Sequence, residues 1–400
     1  MESGATRSHR VFGPTLLVAG TTIGAGMLAL PLTSVGVGFW PSTFLLVTLW
    51  AVTCLSALVF LEIVLRYGKS VSIAVLAEKA FGPLGKMSAL GAIFLLFHAL
   101  LAAYIAGSSQ ILRNAFMEYG IDLSGWVWSI GYVCVFAFFV SSCTKVVDYA
   151  NRFLFTFKVI IFGVMIATLL PLMRLENIAE QTSDTNALWL AIPIFFTSFG
   201  FHGSLPSLIN YMGMQPKPLR FVIVVGSAIP LVVYFFWQLC TVGALTPKTL
   251  GTLGATSDIS DLITLLSQAA GSSALHRLIV VFSFLAIATS FLGVAMGLFD
   301  VTAETFNKDR QTDRVIISLS TFLPPLIFAL FFPHGFVMAL GYAAIALSFL
   351  AILLPISVAW QWRKDKKSIP TYHVGGGNLI LVLCAAMGIA VIAIEIWKKI

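Results

Sequence analysis

Charged side chains are what this sequence has least of. Asp, Glu, Lys and Arg make up 10% of its 400 residues, against 58% that are hydrophobic, whereas soluble domains carry roughly 25% charge. So little polar surface cannot clothe a water-facing globule, and lipid must solvate most of the exterior. Cysteine is also scarce. Cys54, Cys134, Cys143, Cys240 and Cys384 form no CxxC pair and no zinc spacing, and buried within apolar runs a reduced cysteine acts as a small hydrophobe. No HExxH, GxSxG or GxxxxGK[ST] stretch occurs, and no carboxylates pair deep inside an apolar run. These absences argue against an intramembrane enzyme and against direct drive by ATP. There is no low-complexity linker and no soluble domain between the runs.

What the sequence has is a succession of apolar segments. A hydrocarbon core of roughly 30 Å takes about 20 residues of helix. Eleven runs qualify as candidate spans: 12–34, 39–65, 88–112, 126–142, 152–172, 187–212, 219–245, 275–305, 314–332, 335–360 and 377–397. Arg7 and Arg10 precede the first run without a cleavage site followed by a soluble domain, so that run is expected to be a retained span. Of the 24 Lys and Arg residues, Arg113, Arg174, Lys248, Arg277, Lys398 and Lys399 fall on one side of the membrane. Lys158 falls within a span, and the rest fall on the side of the N-terminus. The excess of positive charge places the N-terminus in the cytoplasm and, with an odd number of spans, the C-terminus outside. The net charge of +7 therefore belongs to the loops; no basic stripe or stacking platform suggests nucleic acid. The longest connection, about 246–274, lies outside and has room for a short surface helix.

Two spans carry glycine clusters at mid-depth. The first reads Thr21-Thr22-Ile23-Gly24-Ala25-Gly26 and the sixth Thr197-Ser198-Phe199-Gly200-Phe201-His202-Gly203, each followed by a proline, Pro31 or Pro206. Glycine costs about 1 kcal/mol in a helix relative to alanine, so both helices are weakened there. Non-helical backbone at membrane depth survives only where it lines a cavity or is buried in protein. A matched pair of breaks in two halves points to a transporter binding site. Glycines that only let helices pack closely are the alternative. The spans divide accordingly: a cytoplasmic segment 1–11, a first repeat of five spans over 12–172, a second of inverted orientation over 187–360, and an added span at 377–397. Backbone N–H groups at Gly24, Ala25 and Gly26 would receive a carboxylate. Carbonyls and hydroxyls near Thr21, Thr22 and Ser198 would receive an ammonium. Together they suit the zwitterionic head of an amino acid, a small-molecule substrate, with Phe199 and Phe201 flanking the break for an aromatic side chain to stack on.

Several stretches carry a family resemblance: GTTIGAGMLALPL at 20–32, NRFLF at 151–155, IPIFFTSFGFHGSLPS at 192–207, GSAIPLVVYFFWQ at 226–238, FLAIATSFLGVAMGLFD at 284–300 and TFLPPLIFALFFPHGFVMALGYA at 321–343. The sequence resembles the hydroxy and aromatic amino acid permease family of the amino acid/polyamine/organocation superfamily, and its tyrosine-specific members most. The stretch FLLFHALLAAYIAG at 94–107 fits that pattern less well. The resemblance implies an all-α membrane protein of eleven spans, with a five-plus-five inverted-repeat (LeuT-like) fold plus one extra helix. It also implies proton-driven uptake of an aromatic amino acid, tyrosine first, across a bacterial inner membrane. The energy source would be the proton gradient, with no cofactor, no metal and no obligate protein partner. A sodium-coupled carrier, a carrier of tryptophan, phenylalanine or serine, an amino acid sensor and an intramembrane enzyme are the alternatives.

The ionisable groups inside the spans add to this. Lys158 lies about six residues into the fifth span. Either it snorkels to the cytoplasmic interface, or its amine packs between spans one, five and eight. In related transporters of this fold a sodium ion occupies that place, held by a hydroxyl pair on the eighth span. Thr289-Ser290 is such a pair here, and a lysine beside it would carry a proton in place of the sodium. His202 would touch substrate or relay a proton, or pack as an ordinary histidine. Tyr104 offers a hydroxyl from the third span. Glu62, Asp300 and Glu304 lie near the cytoplasmic ends of their spans, where interfacial solvation accounts for them, and Glu395 lies at the outer end of the last.

Overall fold

A computed structural model describes residues 4–68, 71–142, 144–179, 185–253, 259–309, 312–364 and 372–398. Every regular element among them is helical. Nine helices are long and apolar enough to cross a membrane, and ten when the bent pair at the N-terminal end counts as one span. The fourth expected run, at 126–142, falls on the shorter apolar helix Gly125–Ser142. Cys143 lies outside the described residues.

In chain order the first span is α1 (Gly4–Thr22) and α2 (Gly26–Thr33), bent by 48°. Next come α3 (Phe39–Tyr67), α4 (Ile73–Met117), α5 (Gly125–Ser142), α6 (Thr144–Leu169) and the short α7 (Leu175–Ala179). The sixth span is α8 (Thr185–Thr197) and α9 (Leu205–Met212), joined through a 3-10 turn at His202–Ser204. Pro206 sits in the first turn of α9, where its missing N–H removes nothing from the helix. There follow α10 (Pro216–Ala244), α11 (Pro247–Leu250), α12 (Ile259–Ala270), α13 (Ser273–Thr305) and α14 (Arg314–Phe331). A π-helical turn at Phe349–Leu353 joins α15 (Phe336–Ser348) to α16 (Leu354–Lys364), and α17 (Gly377–Trp397) ends the chain's helices.

The third span is longer than its apolar run predicts. Residues 73–81, read from the sequence as connection, are helical because Ile73, Leu76, Ala77 and Ala80 recur at helical spacing, and Ala74, Leu76 and Ala77 are buried. The direction then changes at Gly82, whose φ of 68° lies in the region that favours glycine, just before Pro83.

Burial sorts the helices into an inner and an outer set. Helix α13 and the α15–α16 pair bury 61% and 67% of their most apolar windows, whereas the span ending α6 and α17 bury only 22% and 28%. The first two form the core, and the second two present side chains such as Phe153 and Leu379 to lipid. Helices α13 and α15 lie along α4, α1 lies along α10, and α2 packs on α8, so the two broken spans meet in the middle of the bundle. The π turn is held from both sides: Ser56 of α3 donates to the Ala351 carbonyl, and Ser348 donates across 2.8 Å to Gly388 of α17. The long connection does hold surface helices, α11 and α12. Helix α12 is tied to the bundle by Ser267, 2.7 Å from His276 Nδ1, while His276 Nε2 lies 2.8 Å from the Glu118 carboxylate at the end of α4.

Two carboxylates are buried, and for Glu62 this differs from expectation. Glu62 is not solvated at an interface: it is 4% exposed and accepts two hydrogen bonds from Arg363, from Nε at 2.9 Å and from the guanidinium Nη2 at 2.7 Å. The Val374 N–H donates to the same carboxylate at 2.8 Å, and Arg363 reaches on to the Gly377 carbonyl. The pair therefore clamps α3, α16 and the approach to α17. Glu395 is buried against Gly341, where a Cβ would lie 2.2 Å from a carboxylate oxygen. It faces Lys398 at 3.6 Å, and Lys398 also donates to the Leu190 carbonyl of α8.

Candidate functional site

The centre of the bundle is built from backbone that the helices cannot use themselves. The last turns of α1 and α8 leave carbonyls without i+4 partners. Two of these are the Thr22 and Ser198 carbonyls, and both lie on the hydroxyl of Tyr234 from α10, at 2.6 and 2.8 Å. A third, the Ile23 carbonyl, accepts from the Lys158 amine of α6 at 2.8 Å. The ends of two half-helices, each bearing partial negative charge, thus converge on one phenol and one amine.

Lys158 does not snorkel. It is 1% exposed, and besides Ile23 its amine donates to Thr289 Oγ1 of α13 at 3.0 Å. Thr289 passes its own proton to the Leu285 carbonyl at 2.9 Å, which leaves its oxygen free to accept. The Phe155 ring, one turn earlier on α6, lies 4.9 Å from the amine, a cation–π distance. The amine therefore joins spans one, five and eight through a carbonyl, a hydroxyl and a ring.

On the other side of the break, the Ala25 N–H donates to Ser290 Oγ at 3.4 Å, and the Gly24 N–H makes no backbone hydrogen bond among the described residues. The two glycines are fixed by close approach. A Cβ at Gly24 would stand 2.2 Å from Ser290 Oγ, and one at Gly26 would stand 3.0 Å from the Ser198 Cα. Close packing and the break in the helical ladder are thus two aspects of one arrangement: without the glycines, α13 and the second break could not reach the first. Tyr104 of α4 is buried and sets its hydroxyl beside Ser290.

The structure therefore brings together Thr22, Ile23, Gly24, Ala25, Gly26, Tyr104, Lys158, Ser198, Thr289 and Ser290. The hydroxyls of Thr21, Thr22 and Ser198 turn back onto carbonyls of their own helices, at 2.9, 2.7 and 3.0 Å. Their protons are spent locally, and only lone pairs remain for a ligand. Phe199 is fully buried against Tyr234, ring centroids 5.3 Å apart, and Phe201 stacks on His202 at 5.0 Å. Gly200 lies open to solvent-accessible space on the break. Both ring nitrogens of His202 are buried, and the ring lies next to the Thr53 backbone of α3.

Sequence reasoning passed over Tyr234, although it lies in GSAIPLVVYFFWQ. One tyrosine among aromatic neighbours gives no signal unless the carbonyls it must satisfy are known. The same holds for Gln238, which donates to Ser34 at the end of α2 at 2.5 Å.

Among the described residues the arrangement has no grouping of ligands for a metal; it offers backbone groups outside the helical ladders and one amine. The chain is 40% identical over 392 residues to "Tyrosine-specific transport system 1" of Haemophilus influenzae, covering 96% of each protein. It is 39% identical over 390 residues to "Tyrosine-specific transport system 2" of the same organism, again covering 96% of each. With "Tryptophan-specific transport protein" of Shigella flexneri the identity is 33% over 388 residues, 96% of this chain and 94% of that one. The model of the Tryptophan/tyrosine permease family matches residues 7–395. With ten apolar helices counted as spans and a family match over nearly its full length, this multi-pass membrane protein belongs to the tryptophan/tyrosine permease family, whose members are transporters rather than enzymes.

Proposed function

We propose that the protein is a proton-coupled symporter that imports an aromatic amino acid, tyrosine first, by alternating access in a bacterial inner membrane. The N-terminus is cytoplasmic and the C-terminus periplasmic, and Gly125–Ser142 makes the eleventh span. The fold in this reading is LeuT-like: repeats over 12–172 and 187–360 of inverted orientation, with α17 outside them. The substrate head group binds between the breaks. Its carboxylate meets the N–H groups of Gly24, Ala25 and Gly26, and its ammonium meets the remaining lone pairs around Thr21, Thr22 and Ser198. The phenolic ring lies toward Tyr104 and the Phe199–Gly200–Phe201–His202 turn. The proton gradient supplies the energy, and neither a cofactor nor a protein partner enters the cycle.

The observation that carries the coupling is the Lys158 amine between Ile23 and Thr289. An ammonium has three N–H donors, and among the described residues two acceptors meet it. A neutral amine still has two donors, so loss of the proton leaves both bonds in place. A group that changes charge without breaking its contacts, at the joint between a broken span and α13, is suited to couple protonation to rocking. In the neutral form the local attraction for the partial negative charge of the α1 end is gone, and the break is freed to move. The tyrosine assignment is supported by the names of the two Haemophilus influenzae relatives.

The test is uptake of labelled tyrosine into proteoliposomes under an imposed proton gradient or an imposed sodium gradient, with tryptophan, phenylalanine and serine as competitors. Uptake that requires sodium overturns the coupling. Uptake of tryptophan in preference to tyrosine overturns the substrate.

A further inference from the structure

Near the break lie two buried hydroxyls that find no partner beyond each other. Tyr132 of α5 is 4% exposed and Ser108 of α4 is fully buried. Their hydroxyls lie beside each other, within reach of one mutual hydrogen bond, and neither oxygen has another partner among the described residues. One bond between two hydroxyls uses one proton and leaves the other without an acceptor, and buried hydroxyls short of partners call for an explanation.

Their surroundings supply one. Ser108 follows Tyr104 by four residues of α4, so the two side chains share a face about 6 Å apart along the helix. On α13, Ser290 holds the Ala25 N–H, while the next residue, Phe291, packs edge-on against Tyr132 with centroids 5.0 Å apart. Phe136 and Phe284 complete the enclosure at 4.5 and 6.3 Å. Three aromatic rings therefore pack against the Tyr132 ring, and the helices α4 and α13 lead from it to the break. The separation, about one helical turn beyond Tyr104 and Ser290, is of the order of a tyrosine side chain's reach from its head group.

We propose that Tyr132 and Ser108 form the subsite for the substrate's phenolic hydroxyl, and that they are what separates tyrosine from phenylalanine. This rests on the reading of the protein as an aromatic amino acid carrier. Serine's hydroxyl donates or accepts as needed, and so does that of Tyr132. A substrate phenol entering between them accepts from one and donates to the other, so both hydroxyls gain the partner they lack. Phenylalanine would leave them with only each other. Sites built to bond a substrate hydroxyl reject the analogue lacking it by as much as about 10⁴–10⁵-fold. Tryptophan's indole N–H can donate to one of the two oxygens but cannot accept from the other.

The experiment measures kcat/KM for labelled tyrosine and labelled phenylalanine in proteoliposomes holding the wild-type protein, Tyr132→Phe or Ser108→Ala. Each substitution is expected to lower the tyrosine-to-phenylalanine ratio at least tenfold through loss of tyrosine uptake, with phenylalanine uptake kept or raised. Retained phenylalanine uptake shows that the variant is folded. Should Tyr132→Phe not fold, Ser108→Ala carries the test, because it removes one small oxygen. If both variants keep the wild-type ratio, or if the two substrates fall in parallel as they would for two hydroxyls that only pack, the subsite is refuted. A wild-type protein that carries tryptophan and no tyrosine overturns the parent reading instead, and the two failures are thereby distinct.

Discussion

Substituting Tyr234→Phe removes one oxygen and leaves the ring. The ring's packing on Phe199 at 5.3 Å is kept, and phenylalanine fits the space without a new contact. What goes is the one donor that, among the described residues, meets the Thr22 and Ser198 carbonyls, at 2.6 and 2.8 Å. Each buried acceptor left without a partner costs about 1–3 kcal/mol. One hydroxyl proton shared between two carbonyls makes each bond weaker than a full one, so the sum is about 2 kcal/mol, a factor of about 30 in an equilibrium constant. These carbonyls end the two half-helices, so the loss falls on the alignment of the breaks rather than on distant packing. We expect the variant to insert and remain folded in detergent, with a lower apparent Tm, and to show tyrosine kcat/KM reduced about tenfold. Purified protein in proteoliposomes gives the second number, and a thermal-shift measurement gives the first. A variant with unchanged Tm and unchanged kcat/KM refutes the reasoning, since the phenol would then not hold the breaks together.

Lys158→Gln keeps a donor for Ile23 and Thr289 but cannot gain or lose a proton; pH-driven accumulation should disappear while exchange of labelled for unlabelled tyrosine persists, measured on the same vesicles. Gly24→Ala places a methyl 2.2 Å from where Ser290 Oγ now stands, so uptake should fall to background; Ser290→Ala in the same chain removes that oxygen and should restore part of it. Glu62→Gln leaves the Arg363 guanidinium, 11% exposed, with a weaker partner. Removing one member of a buried pair costs about 3–5 kcal/mol, less here for the remaining amide oxygen and partial exposure, and the apparent Tm in detergent should drop by several degrees.

Most of the helical framework is legible in the sequence because lipid imposes it. Apolar runs of helical length cannot be anything else at membrane depth, so ten of the eleven expected segments coincide with helices that pass for spans, and the eleventh with a shorter apolar helix. The paired glycine clusters give the breaks for the same reason. What escapes is whatever depends on contacts across the chain. Residues 73–81 read as a connection, because Lys79 and the polar flank mask a weak helical stripe. Glu62 reads as interfacial because Arg363, more than 300 positions away, is invisible to local reasoning. Tyr234, Tyr132 and Ser108 carry no local signal at all. Their meaning comes from which carbonyls and hydroxyls the fold sets beside them. Lys158 stands between these cases: a lysine in an apolar run stands out, but only the structure distinguishes an amine facing Ile23 and Thr289 from one reaching for the membrane surface.

The coupling of tyrosine movement to a proton through Lys158 is tested most directly by a single measurement on purified protein in sodium-free proteoliposomes: internal pH followed during tyrosine entry, with no gradient imposed. The account predicts that adding tyrosine outside acidifies the interior in the wild-type protein and not in Lys158→Gln. Tyrosine entry with no change in internal pH, or an equal acidification in Lys158→Gln, would contradict it.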